Sequence, residues 1–134
     1  MGEQRDHYLL PCIRGEKTDC LAMTEPGAGS DLRSMQCRAE RDGNDYIVNG
    51  TKHFISHADI ADSVILFAPT GEEESSRGPR KLISSFLVDK GTPGFTVRQG
   101  YHSVSHRGYH NCILEFDNCR IPASQMLGAE HQGF

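Results

Sequence analysis

Thr24-Glu25-Pro26-Gly27-Ala28-Gly29-Ser30-Asp31 concentrates the residue types best able to hold a ligand. Two glycines and a proline let the backbone turn sharply and come close to a bound group. Amides exposed in such a turn, with the hydroxyls of Thr24 and Ser30, suit carbonyl and phosphate oxygens. No Gly-Lys-Ser/Thr follows, so this is not a Walker A loop, and the spacing is not Gly-x-Gly-x-x-Gly. Composition alone favours the plainer reading, an ordinary tight turn. The histidines offer other chemistry. His102, His106 and His110 recur every four residues, as do His53 and His57, and on a helix such spacing would line up zinc ligands. Gly108 interrupts the triplet and its surroundings read as strands and loops, where the spacing does not converge. No metal site is expected.

The elements that must carry these residues read as β. Cys20-Leu21-Ala22-Met23 looks like a strand ending at the turn. Gln36–Glu40, Tyr46–Val48 and Thr51–Ile55 read as a three-strand meander, with Asp42-Gly43-Asn44-Asp45 and Asn49-Gly50 as its turns. Asn49-Gly50-Thr51 also matches a glycosylation acceptor but, lacking a secretory signal, reads as a turn. Ser63–Ala68, Ile83–Val88 and Cys112–Phe116 are apolar runs of strand length. Thr70 to Lys81, with Glu72-Glu73-Glu74, reads as a solvated loop. The first fifteen residues read as a helix tail or an extended lead-in, because Pro11 discourages a long helix. Short strands between polar turns predict an all-β domain of two packed antiparallel sheets, a sandwich or barrel, with helix only in short pieces at the ends and after Ser30.

The chain has 134 residues, enough for one domain with its own core, and a formal charge of -4 from 14 basic and 18 acidic side chains. The charges are scattered, which argues against a nucleic-acid stripe or a polybasic membrane patch. No apolar run approaches transmembrane length and no signal-peptide core opens the chain, so no membrane insertion is expected. Five cysteines without a Cys-x-x-Cys pair fit reduced, intracellular usage, and the expected location is cytoplasmic.

Met23-Thr24-Glu25-Pro26-Gly27-Ala28-Gly29-Ser30-Asp31 resembles the signature of the acyl-CoA dehydrogenase family. Asn49-Gly50-x-Lys52, Phe54-Ile55-Ser56, Gly91-Thr92-Pro93-Gly94-Phe95 and Phe116-Asp117-Asn118-Cys119-Arg120-Ile121-Pro122 follow in the family's order. The resemblance implies the family's middle β-domain over 16–126. Residues 1–15 resemble the end of its N-terminal helical domain and 127–134 the start of its C-terminal one. Both helical domains are absent, which implies a fragment or an excised domain.

Several roles follow from that resemblance. FAD would be the cofactor and an acyl-CoA thioester the substrate, dehydrogenated between its α and β carbons with hydride passing to the flavin. Leu21, Ala22, Met23 and Thr24 would serve the flavin's pyrimidine edge, and Gly29 and Ser30 its phosphate region. Phe54, where the family usually has tryptophan, would pack on the dimethylbenzene end. Ile55 accompanies it, and Ser56 would donate to the hydride-accepting nitrogen. Ser30 and Arg107 would meet the acyl-CoA. The family's carboxylate base lies in the C-terminal domain, so no catalytic residue is assigned and the isolated chain is expected to be inactive. Glu25 is expected to brace backbone amides rather than abstract protons. Between Tyr101 and Asn111 the sequence departs from the family, with Ser105, Tyr109 and His110 bulkier or more polar than its small residues. As a whole protein, a homo-oligomer passing electrons to a flavoprotein acceptor is implied. A related flavin oxidase or monooxygenase, or a β-domain kept only for interaction, is the alternative.

Overall fold

The computed structural model describes residues 2–76 and 78–134. Among the described residues eight strands run in chain order: β1 Asp19–Ala22, β2 Arg38–Asp42, β3 Asp45–Ser56, β4 Ser63–Ser75, β5 Gly78–Asp89, β6 Phe95–Gln99, β7 Asn111–Pro122 and β8 Met126–Leu127. They form two four-stranded sheets, ordered β1-β4-β5-β8 and β2-β3-β7-β6. One apolar core joins the sheets, with Ala22, Leu66, Phe86 and Val88 from the first meeting Tyr46, Val48, Leu114 and Ile121 from the second. The expected pair of packed sheets is present, with one exception to its antiparallel order: β1 runs parallel to β4.

Two local expectations are corrected and one left open is decided. Asn49-Gly50 is not a hairpin turn, because β3 runs straight through it and the register against β7 slips there. Gly50 has a φ of 141°, and a Cβ at that position would lie 2.5 Å from the Cα of Cys37. The Asn49 side chain accepts from the Asn118 amide at 2.8 Å. Asn-Gly serves a β-bulge as readily as a turn, since both need unusual backbone angles. Residues 70–81 are not a loop either: apart from the tip they continue β4 and β5 as a long hairpin arm. Glu72 faces Lys81 and Glu73 faces Arg80 across it, so the charge run is matched by cross-strand partners. The lead-in is helical from Gly2 to Ile13, in the pieces Gly2–Gln4, the π-turn Arg5–Leu9 and Leu10–Ile13. Pro11 sits at the start of the last piece, where a missing N–H costs little.

The remaining helix is short, Leu32–Ser34 and Ala123–Gln125. β8 lies across the boundary expected between 126 and 127 and pairs with β5. After it, Gly133 donates to the Ile83 carbonyl at 2.8 Å, and Phe134 stacks on Phe67.

Candidate functional site

β1 lies at a sheet edge, and β3 bends past its C-terminal end. The His53 amide donates to the Thr24 carbonyl at 2.9 Å, which brings residues 21–24 beside residues 53–56 although the two segments belong to different sheets. Leu21 is exposed, Ala22 is fully buried, and Met23 and Thr24 are half-buried. Ala22 can therefore meet a ligand only through its backbone. The Met23 carbonyl accepts from Lys52 Nζ at 3.0 Å, so the carbonyls of both Met23 and Thr24 are held from the protein side.

On β3 the register slips again between Lys52 and Ile55. Phe54 and His57 occupy left-handed backbone at φ 55° and 56°. Left-handed backbone at a bulky aromatic residue is strained, and such strain gathers at functional sites. Its effect here is geometric. Phe54 is turned outward, 51% exposed, while Ile55 enters the core. Ile55 can thus touch a ligand only by its main chain. Phe54 offers a flat apolar face and stacks on Tyr101 with ring centroids 4.5 Å apart. The Ser56 hydroxyl is hydrogen-bonded to the Tyr109 phenol.

The turn after β1 closes on itself, with Glu25 and Ala28 exchanging backbone hydrogen bonds of 2.9 and 3.2 Å. Gly27, Gly29 and Ser30 remain exposed, whereas the Glu25 side chain is turned inward. Its carboxylate accepts from the amides of Gln36 at 2.6 Å and Cys37 at 3.1 Å. Glu25 braces amides, as expected of it. Asp31 caps the short helix Leu32–Ser34 by accepting from the Arg33 amide, which leaves Ser30 outside the cap.

Arg107 lies on the exposed segment between β6 and β7. It lines a cleft of about 490 Å³ with Lys90, Arg98, Tyr101, Tyr109 and His110. Residues 21–24 and 54–56 are not among that cleft's walls. Two of its tyrosines, however, reach Phe54 and Ser56, so the departing segment 101–111 borders the same face. The spaced histidines find separate partners: His102 with Gln99, His106 with Ser105, and His110 with Asp59 at 2.5 Å. Among the described residues no three His, Cys, Asp or Glu side chains converge as a metal site. Burial raises the thiols of Cys20 and Cys37 to about 12 and that of Cys119 to about 11, so none of these is a nucleophile at neutral pH.

Sequence reasoning missed Lys52, Tyr101 and Tyr109. Lys52 had a signal: β3 buries Tyr46, Val48 and Ile55, and Lys52 falls among these inward positions, where a charge needs a partner. Tyr109 had only its departure from the family's small residues, and Tyr101 had none.

Two features meet on this face: the end of an edge strand, and an outward aromatic followed by a hydroxyl two residues on. The family model described as "Acyl-CoA dehydrogenase, middle domain" matches residues 20–119. Mitochondrial isovaleryl-CoA dehydrogenase of Pongo abelii is 42% identical over 132 residues, covering 97% of this chain and 30% of that protein. The solved butyryl-CoA dehydrogenase of Megasphaera elsdenii superposes with a TM-score of 0.87 at 33% identity, over 100% of this chain and 34% of that one. A glutaryl-CoA dehydrogenase of Mycobacterium smegmatis, solved in complex with FADH2, gives a TM-score of 0.84 at 37% identity, over 97% and 32%. The chain thus spans about a third of the length of the proteins it resembles.

Proposed function

We infer that this chain, which belongs to the acyl-CoA dehydrogenase family and matches its middle domain, forms one wall of a site for FAD and an acyl-CoA thioester. The helical lead-in of 1–15 and the tail of 127–134 would join it to flanking helical domains that complete the cleft. Bound FAD would supply the hydride-accepting ring. The backbone of Leu21 to Met23, with the Thr24 hydroxyl, would hold the pyrimidine edge and favour the charge that gathers there on reduction. Gly29 and Ser30, on the exposed turn, would meet the phosphates, and Ser30 the thioester ligand as well. Phe54 would lie flat on the dimethylbenzene end, with the Ile55 main chain beside it. The Ser56 hydroxyl would be aimed at the nitrogen that receives hydride. Arg107 would attract the anionic part of the substrate. No carboxylate of this chain is assigned as the base, since Glu25 is occupied inside.

The observation that carries this reading is the meeting of the β1 end with the strained Phe54–Ser56 segment on one open face. The full-length protein would be a cytoplasmic homo-oligomer that hands its electrons to a flavoprotein. Unpaired thiols support a reducing compartment, and no helix among the described residues is long and apolar enough to cross a membrane. The test is direct. Full-length protein should purify yellow, with flavin absorbance that bleaches anaerobically on addition of an acyl-CoA. Colourless protein that takes up no FAD would refute the assignment, and bound flavin that no acyl-CoA reduces would refute the substrate class.

A further inference from the structure

Glu25 and Lys52 form an ion pair at 2.8 Å with side chains 3% and 0% exposed. Removing two charges from water is costly, and an isolated buried pair is often no better for stability than apolar residues of the same size. This pair reaches further than its own bond. Lys52 Nζ has three donors, directed to Glu25, to the Met23 carbonyl at 3.0 Å and to the Met35 sulfur at 3.5 Å. The Glu25 carboxylate takes the amides of Gln36 and Cys37. The pair therefore touches the β1 end, the exposed turn and the strand leading out of it. Lys52 is also two residues before Phe54 and four before Ser56, immediately ahead of the bulge that turns Phe54 outward.

The geometry points to Glu25 and Lys52 as a positioning pair that locks the two flavin-facing segments to each other, an inference that rests on the flavin reading above. The ammonium holds the Met23 carbonyl and with it the end of β1. The Lys52 backbone fixes where β3 leaves the sheet. Because His53, the next residue, bonds Thr24, a shift of either segment moves the other.

The informative variant is Glu25→Gln with Lys52→Met in the full-length protein. It removes both charges, while the amide oxygen of glutamine still accepts from the Gln36 and Cys37 amides. Global stability should stay near that of the unaltered protein. FAD affinity should fall roughly tenfold or more, as when a charged hydrogen bond is lost, and flavin reduction should slow. Amide exchange should quicken at residues 24–31 and at His53 but not in β4 and β5. Glu25→Gln with Lys52→Gln, which also removes both charges, serves if the first variant does not fold. A folded variant with unchanged FAD affinity and unchanged exchange overturns the proposal. So does loss of folding in both variants, which would make the pair structural only. If the unaltered protein takes up no flavin, the functional reading fails instead, and the exchange pattern still decides whether the pair couples the two segments.

Discussion

Ser56 and the buried thiols show how strongly a residue's surroundings set its chemistry. The Ser56 hydroxyl is tied to Tyr109 on an exposed face, so a ligand there must share or replace that bond. Ser56→Ala should leave the fold intact and slow flavin reduction by acyl-CoA in the full-length protein. The loss corresponds to about 2–4 kcal/mol of transition-state stabilisation for one aimed donor. Rapid-mixing absorbance measures it, and an unchanged rate would remove Ser56 from the mechanism. The cysteines respond to burial instead. Cys20, Cys37, Cys112 and Cys119 are buried, while Cys12 on the helical lead-in is only partly so. Brief iodoacetamide treatment of the native protein should therefore label Cys12 first, and peptide mass spectrometry would show the order.

Among the elements, β3 has the most to do. It runs twelve residues, belongs to the core at Tyr46 and Val48, and reaches the site at Phe54 and Ser56. Two register slips make both uses possible, because each slip changes which side chains face inward. Gly50 is central to the first slip. Gly50→Ala would force a Cβ against Cys37 and hold alanine at an unfavourable φ. Unfolding in urea should show a loss of roughly 2–4 kcal/mol, the sum expected of overpacking and backbone strain. A loss below about 0.5 kcal/mol, as at an ordinary surface site, would mean that the bulge relaxes freely. The β4–β5 arm is different. Glu72 and Glu73 are exposed, and Glu73 meets Arg80 in a surface ion pair of 3.5 Å, so single neutralisations at Glu72 or Glu73 should stay within that surface range.

At the scale of the whole molecule, the residues proposed to face a flavin border an open surface of this chain. An open wall gives up the burial that a closed cleft supplies, while the cost of ordering the ligand remains. The isolated chain should thus bind FAD weakly and dehydrogenate no acyl-CoA. Calorimetric titration tests the first expectation, and a stoichiometric submicromolar complex would contradict it. Burial also sets the response to alkali. The thiols of Cys20 and Cys37 rise to about 12, that of Cys119 to about 11, and the Tyr8 phenol to about 12, through burial first and then its hydrogen bond to Asp89. Folded-state values above the unfolded ones mean that the unfolded chain gives up these protons first. Stability should therefore be full below about pH 9, the ordinary thiol value, and should decline as pH climbs through 11 to 12. Circular-dichroism melts across pH 8 to 12 would record a falling midpoint, and a flat one would contradict the assignment.

The sequence by itself determined the β class, the places of most strands and the family to which the chain belongs. Strand length, alternation and turn residues are local properties, and the motif around Thr24 to Asp31 is contiguous. Asn49-Gly50 and the charge run at 72–74 escaped it, and the lead-in stayed open between helix and extended chain, for one shared reason. Each is ambiguous locally and is settled by a distant partner: Asn118 and Cys37 for the bulge, Lys81 and Arg80 for the arm, and the Asp89 carboxylate receiving the Tyr8 hydroxyl for the lead-in. Only the tertiary structure decided that Glu25 and Lys52, 27 residues apart, meet. A buried charge declares its need for a partner in the sequence, but which partner answers depends on how the two sheets close.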